Sequence, residues 1–215
     1  MPPNDTVALV PLRPPGVGKT RLSPTLSPDQ RAELAGAMLA DVTAALAAAP
    51  VDRIVVAGGG PAAATAAAAL GIEVLLDPPG TSSLDEALAV AASQLLPAGR
   101  LLVVAADLPA LTAEDVAAIL AADAPVAVAP TVDGGTGGLL REPPGVIGTA
   151  YGPGSAERHV GLARTAGLAP AVVHAAGFAT DVDTVADLGR LAATSLGEAT
   201  ARWLAACGLD LPRVS

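Results

Sequence analysis

Short apolar runs alternate along this chain with longer segments that carry the hydrophobic spacing of helices. Unbroken apolar runs bounded by Gly, Pro or charged residues are typical of strands buried on both faces of a parallel sheet. The runs are Thr6–Leu12, Arg53–Ala57, Ile72–Leu76, Leu101–Ala105, Val126–Pro130 and Pro170–His174. Strands that alternate with helices predict an α/β fold.

Polar caps indicate where the helices begin. Ser27-Pro28 places Ser at an N-cap and Pro at the first helical position, which predicts a helix to about residue 49. Thr112 with Asp115 three residues later has the spacing of a capping box. Further helices are expected to begin near Ser82 or Ser83, Ser155 and Val185.

Size and charge narrow the possible functions. The 215 residues fit a single domain, 1–215, with a core over about 6–195 and a C-terminal helix over about 195–208. A net charge of -9 argues against a nucleic-acid partner. Cys207 is the only cysteine, so no internal disulfide can form. The N-terminal residues lack the features of a signal peptide and no apolar run could span a bilayer, so we expect a soluble cytoplasmic protein with no membrane partner.

Carboxylates follow two of the predicted strands. Asp107 comes two residues after the run Leu101–Ala105, at the sheet edge where α/β proteins bind ligands. Asp181 and Asp183 are two residues apart after the last run, so in extended chain both point the same way. Three such carboxylates would suit Mg²⁺, although Asp183-Thr184 could instead merely cap a helix.

Two loops have the features of phosphate-binding sites. The loop 13–22 contains Arg13, Arg21 and the only lysine, Lys19, and it would form a cationic lip for a triphosphate. Its Gly-Lys-Thr resembles a P-loop, but Arg13 occupies the position of the first P-loop glycine. A P-loop NTPase is thus one alternative function. A nicotinamide- or flavin-binding protein is a second, because Gly58, Gly60 and Ala63 followed by Asp77 match a dinucleotide-binding pattern.

Glycine-rich segments later in the chain are candidates for ligand contact. Residues 131–140 contain four glycines around Thr136 and are predicted to form a turn that lets backbone approach a ligand. Gly152-Pro153-Gly154-Ser155 leads into a helix whose amides could hold an anion, with Arg158 and His159 adding charge. Asp85 could accept hydrogen bonds from a guanine edge, although acids are also favoured in the first turn of a helix.

The ordered set of motifs resembles the CofC/FbiD family of phospholactate or phosphoenolpyruvate guanylyltransferases. The motifs are Val10-Pro11-Leu12, Lys19-Thr20-Arg21-Leu22, Asp107-Leu108-Pro109, Gly135-Thr136-Gly137, Tyr151-Gly152-Pro153-Gly154-Ser155 and Asp181-Val182-Asp183-Thr184. The resemblance implies a GT-A-like nucleotidyltransferase fold with a mostly parallel central sheet flanked by helices. It also implies transfer of GMP from GTP to a phosphorylated three-carbon acid, with release of pyrophosphate, in the biosynthesis of the deazaflavin coenzyme F-420.

The same resemblance assigns roles to residues. Asp107, Asp181 and Asp183 would hold Mg²⁺; Lys19 and Arg21 would meet the GTP phosphates and act with Asp107 in catalysis. Contacts to the nucleotide would come from Arg13, Lys19 and Asp85, and contacts to the small acid from Gly138, Gly152 and Ser155. The chain departs from the family at Arg13, Asp85 and Gly137-Gly138, which replace lysine, asparagine and Asn or Thr respectively.

Two alternatives to this function remain. One is another GT-A nucleotidyltransferase, of the molybdenum-cofactor or sugar-phosphate type. The other is a non-catalytic nucleotide-binding homologue. A homodimer is compatible with the sequence.

Overall fold

A computed structural model describes residues 5–12, 20–58, 61–192 and 196–209. In these ranges one seven-stranded sheet is formed by β1 (Thr6–Leu12), β2 (Arg53–Gly58), β3 (Glu73–Leu76), β4 (Arg100–Val104), β5 (Val126–Pro130), β6 (Thr136–Arg141) and β7 (Ala171–Val172). The strand order is β3-β2-β1-β4-β6-β5-β7. Only β6 is antiparallel to its neighbours. The predicted α/β fold with a mostly parallel sheet is therefore confirmed.

Helices cover both faces of this sheet. The described residues form α1 (Pro28–Ala48), α2 (Pro61–Ala69), α3 (Leu84–Gln94), α4 (Ala113–Leu120), α5 (Ser155–Thr165), α6 (Val185–Ala192) and α7 (Glu198–Cys207). Ser27 caps α1 as predicted and forms a capping box with Gln30. Thr112 forms the predicted capping box of α4, and Ser83 caps α3. None of these helices has the length and apolar content needed to cross a bilayer.

The core consists of two apolar layers separated by the sheet. Along β1, Val7 and Leu9 face the layer that includes side chains of α3 and α5, whereas Ala8 and Val10 face the layer that includes α1 and α4. All four side chains are completely buried. A strand buried on both faces must be apolar at every position, which is why an unbroken apolar run predicted it correctly.

The glycine-rich segment differs from its prediction. Residues 136–141 are the strand β6, in which Gly138 lies opposite Val104 of β4 and Ala129 of β5. A Cβ at Gly138 would lie 2.7 Å from Cε1 of Phe178, whose side chain is completely buried. The prediction of a turn at these positions was wrong because the glycines make room for a core aromatic ring. Only residues 131–135 form the turn.

A smaller apolar cluster lies beside the main core and joins the C-terminal helices to the body of the domain. It contains Leu22, Leu34, Met38, Val182 and Leu188, among others. In the same region the buried carboxylate of Asp41 accepts hydrogen bonds from the amides of Ala199 (2.8 Å) and Thr200 (2.9 Å) at the start of α7. Because α7 has no side-chain cap of its own, a residue of α1 caps it.

Candidate active site

Three carboxylates meet at the carboxyl end of β4, the middle strand of the sheet. Oxygen atoms of Asp107, Asp181 and Asp183 all lie within 4.8 Å of one another. Each of the three residues is partly buried. The structure thus brings together the residues that were predicted as metal ligands.

A backbone hydrogen bond fixes this arrangement. The amide of Val182 donates to the carbonyl of Asp107 at 3.0 Å, so the segment 181–183 runs directly beside the end of β4. The Val182 side chain is completely buried in the smaller apolar cluster. In extended chain the flanking side chains point away from the central one. Burial of Val182 therefore directs Asp181 and Asp183 together towards Asp107.

Thr184 and Asp187 form hydrogen bonds that cap the start of α6. Asp187 accepts hydrogen bonds from the amides of Asp183 (3.1 Å) and Thr184 (2.6 Å), and from the Thr184 hydroxyl (2.8 Å). The Thr184 hydroxyl in turn accepts from the Asp187 amide at 3.3 Å. The helix cap and the carboxylate cluster thus coexist, because Thr184 and Asp187 make the cap.

A cleft of about 290 Å³ opens beside the carboxylates. Its lining includes Arg21, Asp133, Asp181, Asp183 and Arg190. The Arg21 guanidinium lies 3.9 Å from the Asp183 carboxylate, and 74% of its side chain is exposed. An exposed pair of this kind adds little stability, so Arg21 remains available to an anion that enters the cleft. The predicted residues Arg13 and Lys19 lie outside the described residues.

Electrostatics in the cluster disfavour three ionised carboxylates. Burial, followed by the negative charges of Asp107, Asp133 and Asp183, raises the pKa of Asp181 to about 6. A divalent cation would compensate these charges, and hard oxygen ligands are those that Mg²⁺ prefers. The donor set therefore fits a magnesium ion.

The second part of the site is the loop 150–154, whose backbone is held by side chains from two helices. The Ala150 carbonyl accepts from Nε (3.1 Å) and Nη2 (2.9 Å) of Arg158, which also donates to the Pro153 carbonyl. The Ala150 amide donates to Nε2 of His159 at 2.9 Å, and the Tyr151 amide donates to Asp85 at 3.0 Å. The loop is therefore pre-organised, which lowers the entropic cost of binding a ligand.

The predicted contact residues of this loop occupy special positions. Gly152 has φ 117° and Gly154 has φ 67°, backbone angles that residues other than glycine rarely adopt. Ser155 begins α5, and its buried hydroxyl lies 2.9 Å from that of Thr136. The Ser155 and Ala156 amides already donate to the carbonyls of Gly152 and Gly134. We expected the backbone amides at the start of α5 to be free to bind an anion. For the amides of Ser155 and Ala156 this expectation is wrong.

Two other predicted residues have structural partners. One oxygen of Asp85 accepts from the Tyr151 amide, so this carboxylate positions the loop, and its role in nucleotide binding stays a prediction. Gly138 faces Phe178 and Ile119 in the core, so a ligand could meet only its backbone.

The two parts of the site meet through the turn 131–135. Asp133 in this turn lines the cleft with Asp181, while the Gly134 carbonyl accepts from the Ala156 amide at 3.2 Å. Asp133 also accepts from the Thr131 hydroxyl and from the Gly135 amide, which fixes the shape of the turn. Sequence reasoning did not assign Asp133, Thr136 or the hydrogen bonds of Arg158 and His159. The Thr-x-Asp spacing of a side-chain-stabilised turn was the one available signal.

The sequence of this chain is similar to those of known guanylyltransferases. A family model described as guanylyl transferase CofC like matches residues 6–213. Phosphoenolpyruvate guanylyltransferase of Sphaerobacter thermophilus is 38% identical over 193 residues, which cover 87% of this chain and 92% of that protein. 2-Phospho-L-lactate guanylyltransferase of Methanothermobacter thermautotrophicus is 35% identical over 189 residues, which cover 86% of this chain and 83% of that protein.

Solved structures show the same fold. A protein of Desulfovibrio desulfuricans G20 assigned as a nucleotide-diphospho-sugar transferase superposes with a TM-score of 0.78 at 22% identity, covering 94% of this chain and 96% of its own. CMP:2-keto-3-deoxy-manno-octonic acid synthetase superposes with a TM-score of 0.61 at 17% identity, covering 96% of this chain and 100% of its own. These superpositions show that the fold is that of nucleotidyltransferases. The family is shown by the sequence, because the family model matches nearly the whole chain. The chain belongs to the CofC-like guanylyl transferase family.

Proposed function

We propose that this protein transfers GMP from GTP to the phosphate of a small phosphorylated three-carbon acid and releases pyrophosphate. Phosphoenolpyruvate is our first choice of acceptor, ahead of 2-phospho-L-lactate and 3-phosphoglycerate. The guanosine diphospho-linked product would serve the biosynthesis of the deazaflavin coenzyme F-420. The observation that carries this proposal is the triad Asp107, Asp181 and Asp183 at the end of β4, within one domain with a pre-organised Gly-Pro-Gly-Ser loop.

This transfer reaction requires few residues with acid–base or nucleophilic chemistry of their own. The acceptor phosphate is already an ionised nucleophile, so the site needs no strong general base. Catalysis then depends on alignment of the acceptor with the α-phosphate and on neutralisation of negative charge. Magnesium held by Asp107, Asp181 and Asp183 would supply electrostatic stabilisation of the phosphates. Arg21 at the rim of the cleft would bind a phosphate oxygen, as would Lys19.

The acceptor would bind through the loop 150–154 and the start of α5. Gly152 allows the backbone to come close to a ligand, and the Ser155 hydroxyl supplies a polar contact. The relatives named for phosphoenolpyruvate and for 2-phospho-L-lactate are almost equally similar to this chain. A cytoplasmic location and a homodimer remain predictions.

The test is a pyrophosphate-release assay with GTP and Mg²⁺, in which each of the three acids is offered in turn. ATP and CTP are the controls for the nucleotide, and Asp183→Asn is the control for the metal cluster. We expect turnover with GTP and one acid, and its loss in the Asp183→Asn protein. Full Mg²⁺-dependent turnover in that variant would refute the assignment of the cluster. Normal GTP binding without turnover of any acid would point to another acceptor or to a binding role.

A further inference from the structure

Two arginines line the cleft beside the carboxylate triad, and they come from distant parts of the chain. Arg21 belongs to the short helical turn Thr20–Leu22, whereas Arg190 lies in the last turn of α6. Their side chains are 74% and 52% exposed, so both guanidinium groups are accessible to a ligand in the cleft. The sequence predicted a contact with the GTP phosphates for Arg21 and no role for Arg190.

Arg190 is held in place by Asp187, which lies three residues earlier in α6. Nη2 of Arg190 donates to one carboxylate oxygen of Asp187. The other oxygen of Asp187 accepts hydrogen bonds from the amides of Asp183 and Thr184 at the start of the helix. Because this cap immobilises Asp187, Asp187 in turn restrains the guanidinium. An arginine has five N–H donors and this ion pair uses one, so the restrained group can still donate to a ligand.

The carboxylates that line the cleft have other partners. Two of them belong to the triad that fits a magnesium ion. Asp187 is occupied by the helix cap and by Arg190. One oxygen of Asp133 accepts two hydrogen bonds within its own turn. With the ion bound to the triad, an anion that enters this cleft would therefore meet the ion and, among the described lining residues, the two arginines.

The size and lining of the cleft fit a small polyanion and not a whole nucleotide. Clefts that hold drug-sized ligands measure about 300–1,000 Å³ and are mostly apolar, whereas this cleft measures about 290 Å³. Of the described residues that line it, only Val132 and Ala186 are apolar and none is aromatic. A purine base would find no ring on which to stack, while phosphate oxygens would find the arginines. None of these lining residues belongs to the loop 150–154, where we place the acceptor acid.

We propose that Arg190, positioned by Asp187, acts with Arg21 to bind the β- and γ-phosphates of GTP and to hold them as they leave as pyrophosphate. This inference rests on the proposed function, because it takes GTP as the substrate. It adds to that function a further cationic residue for the leaving group, supplied by the C-terminal part of the chain.

The transfer reaction gives this contact a catalytic effect. An oxygen of the acceptor phosphate forms a bond to the α-phosphorus of GTP, while the bond from the α-phosphorus to the oxygen that bridges to the β-phosphate breaks. The electron pair of the broken bond stays on that oxygen, so negative charge grows on the departing pyrophosphate. An arginine that is already held in position stabilises this charge without first having to be ordered.

Binding of inorganic pyrophosphate tests this site without any acceptor. Isothermal titration calorimetry in Mg²⁺ would compare the unmodified protein with Arg190→Gln, which keeps a polar side chain but removes the charge. We expect the Kd for pyrophosphate to rise roughly tenfold or more, the size of one hydrogen bond between charged groups. Arg202→Gln is the matched control and should leave the Kd unchanged, because Arg202 is an exposed arginine paired with Glu198 within α7. An unchanged Kd in Arg190→Gln, or no binding to the unmodified protein, would overturn the proposal.

Steady-state kinetics distinguish the leaving group from the acceptor. In Arg190→Gln we expect kcat/KM for GTP to fall roughly tenfold and the inhibition constant of pyrophosphate to rise, with the KM for the acid unchanged. Arg190→Lys keeps the charge and should recover part of the loss. A raised KM for the acid with an unchanged inhibition constant would assign Arg190 to the acceptor phosphate and overturn the proposal.

A double variant shows whether Asp187 acts through Arg190. Asp187→Asn keeps the shape of the side chain but weakens the ion pair, so by itself it should raise the Kd for pyrophosphate. In the Arg190→Gln background it should have no further effect, and additive effects would overturn the positioning role. If the unmodified protein turns over none of the acids, the proposed function fails, while calorimetry still decides the role of Arg190. Turnover by a protein that does not bind pyrophosphate would uphold the function and overturn this inference, so the two failures are distinguishable.

Discussion

Replacement of Asp181 by Asn is expected to stabilise the metal-free protein and to remove its response to Mg²⁺. In the folded protein, burial and the charges of Asp107, Asp133 and Asp183 raise the pKa of Asp181 from 3.8 to about 6. The folded state therefore binds this proton more tightly than the unfolded chain does. Ionisation of Asp181 costs stability, and the cost develops as the pH rises from about 4 to above 6. Asparagine has nearly the same shape and carries no charge.

The size of the gain in stability follows from the shift in the pKa of Asp181. The rise from 3.8 to about 6 corresponds to about 3 kcal/mol in the free energy of unfolding if solvent has no influence. Because Asp181 is only partly buried, screening by water reduces this to about 1–2 kcal/mol. At pH 5 the ionisation is incomplete, so the advantage of the variant should be about half of that at pH 8.

Urea denaturation in EDTA at pH 8 and pH 5 measures these differences. Asp123→Asn, which changes an exposed aspartate in the loop before β5, is the matched control, with little expected effect at either pH. Addition of Mg²⁺ should then stabilise the unmodified protein and the control in proportion to the logarithm of its concentration above the dissociation constant. The Asp181→Asn protein should respond weakly, because it lacks one of the three ligands.

Two results would refute this reasoning. If Asp181→Asn were less stable than the unmodified protein in EDTA at pH 8, the carboxylate would not be electrostatically disfavoured in the fold. If Mg²⁺ stabilised the variant as much as the unmodified protein, the ion would bind elsewhere.

Two further predictions concern packing and helix capping. Gly138→Ala should cost about 1–3 kcal/mol in thermal unfolding, since its methyl group would clash with Phe178. Combined with Phe178→Leu it should cost less than the sum of the two single changes, and strict additivity would contradict the contact. Asp41→Ala should cost about 1–2 kcal/mol and speed hydrogen exchange of the Ala199 and Thr200 amides, because α7 loses its cap. Unchanged exchange would contradict that cap.

Patterns among residues that are close together in the sequence were sufficient to predict much of the fold. Ser27 and Thr112 cap helices because the cap and its partner are three residues apart. The run Leu101–Ala105 predicted a buried strand because every one of its side chains must be apolar. Asp107 follows that strand, so its place at the sheet edge could be read from the sequence. The predicted strand Pro170–His174 proved shorter, at Ala171–Val172, because β7 pairs only at the edge of the sheet.

Features that depend on distant contacts could not be predicted. The glycines of β6 look like a turn until Phe178 is known to fill the space beside Gly138. Asp85 could not be assigned to the Tyr151 amide, because these residues come from different segments. The bond between Thr136 and Ser155 likewise joins the sheet to a helix. Single-sequence patterns report on neighbours in the chain, and these partners meet only in the folded domain.

The hydrogen bond between Val182 and Asp107 also has a consequence for the order in which the protein is made. The carboxylate triad draws on opposite halves of the chain, so it cannot exist while the ribosome is still synthesising residues before Asp181. Strands β1 to β4 can pair earlier, because all of them are complete by Val104. During synthesis from the N-terminus, early folding would therefore proceed without the ion. Magnesium would bind only after nearly the whole domain has emerged.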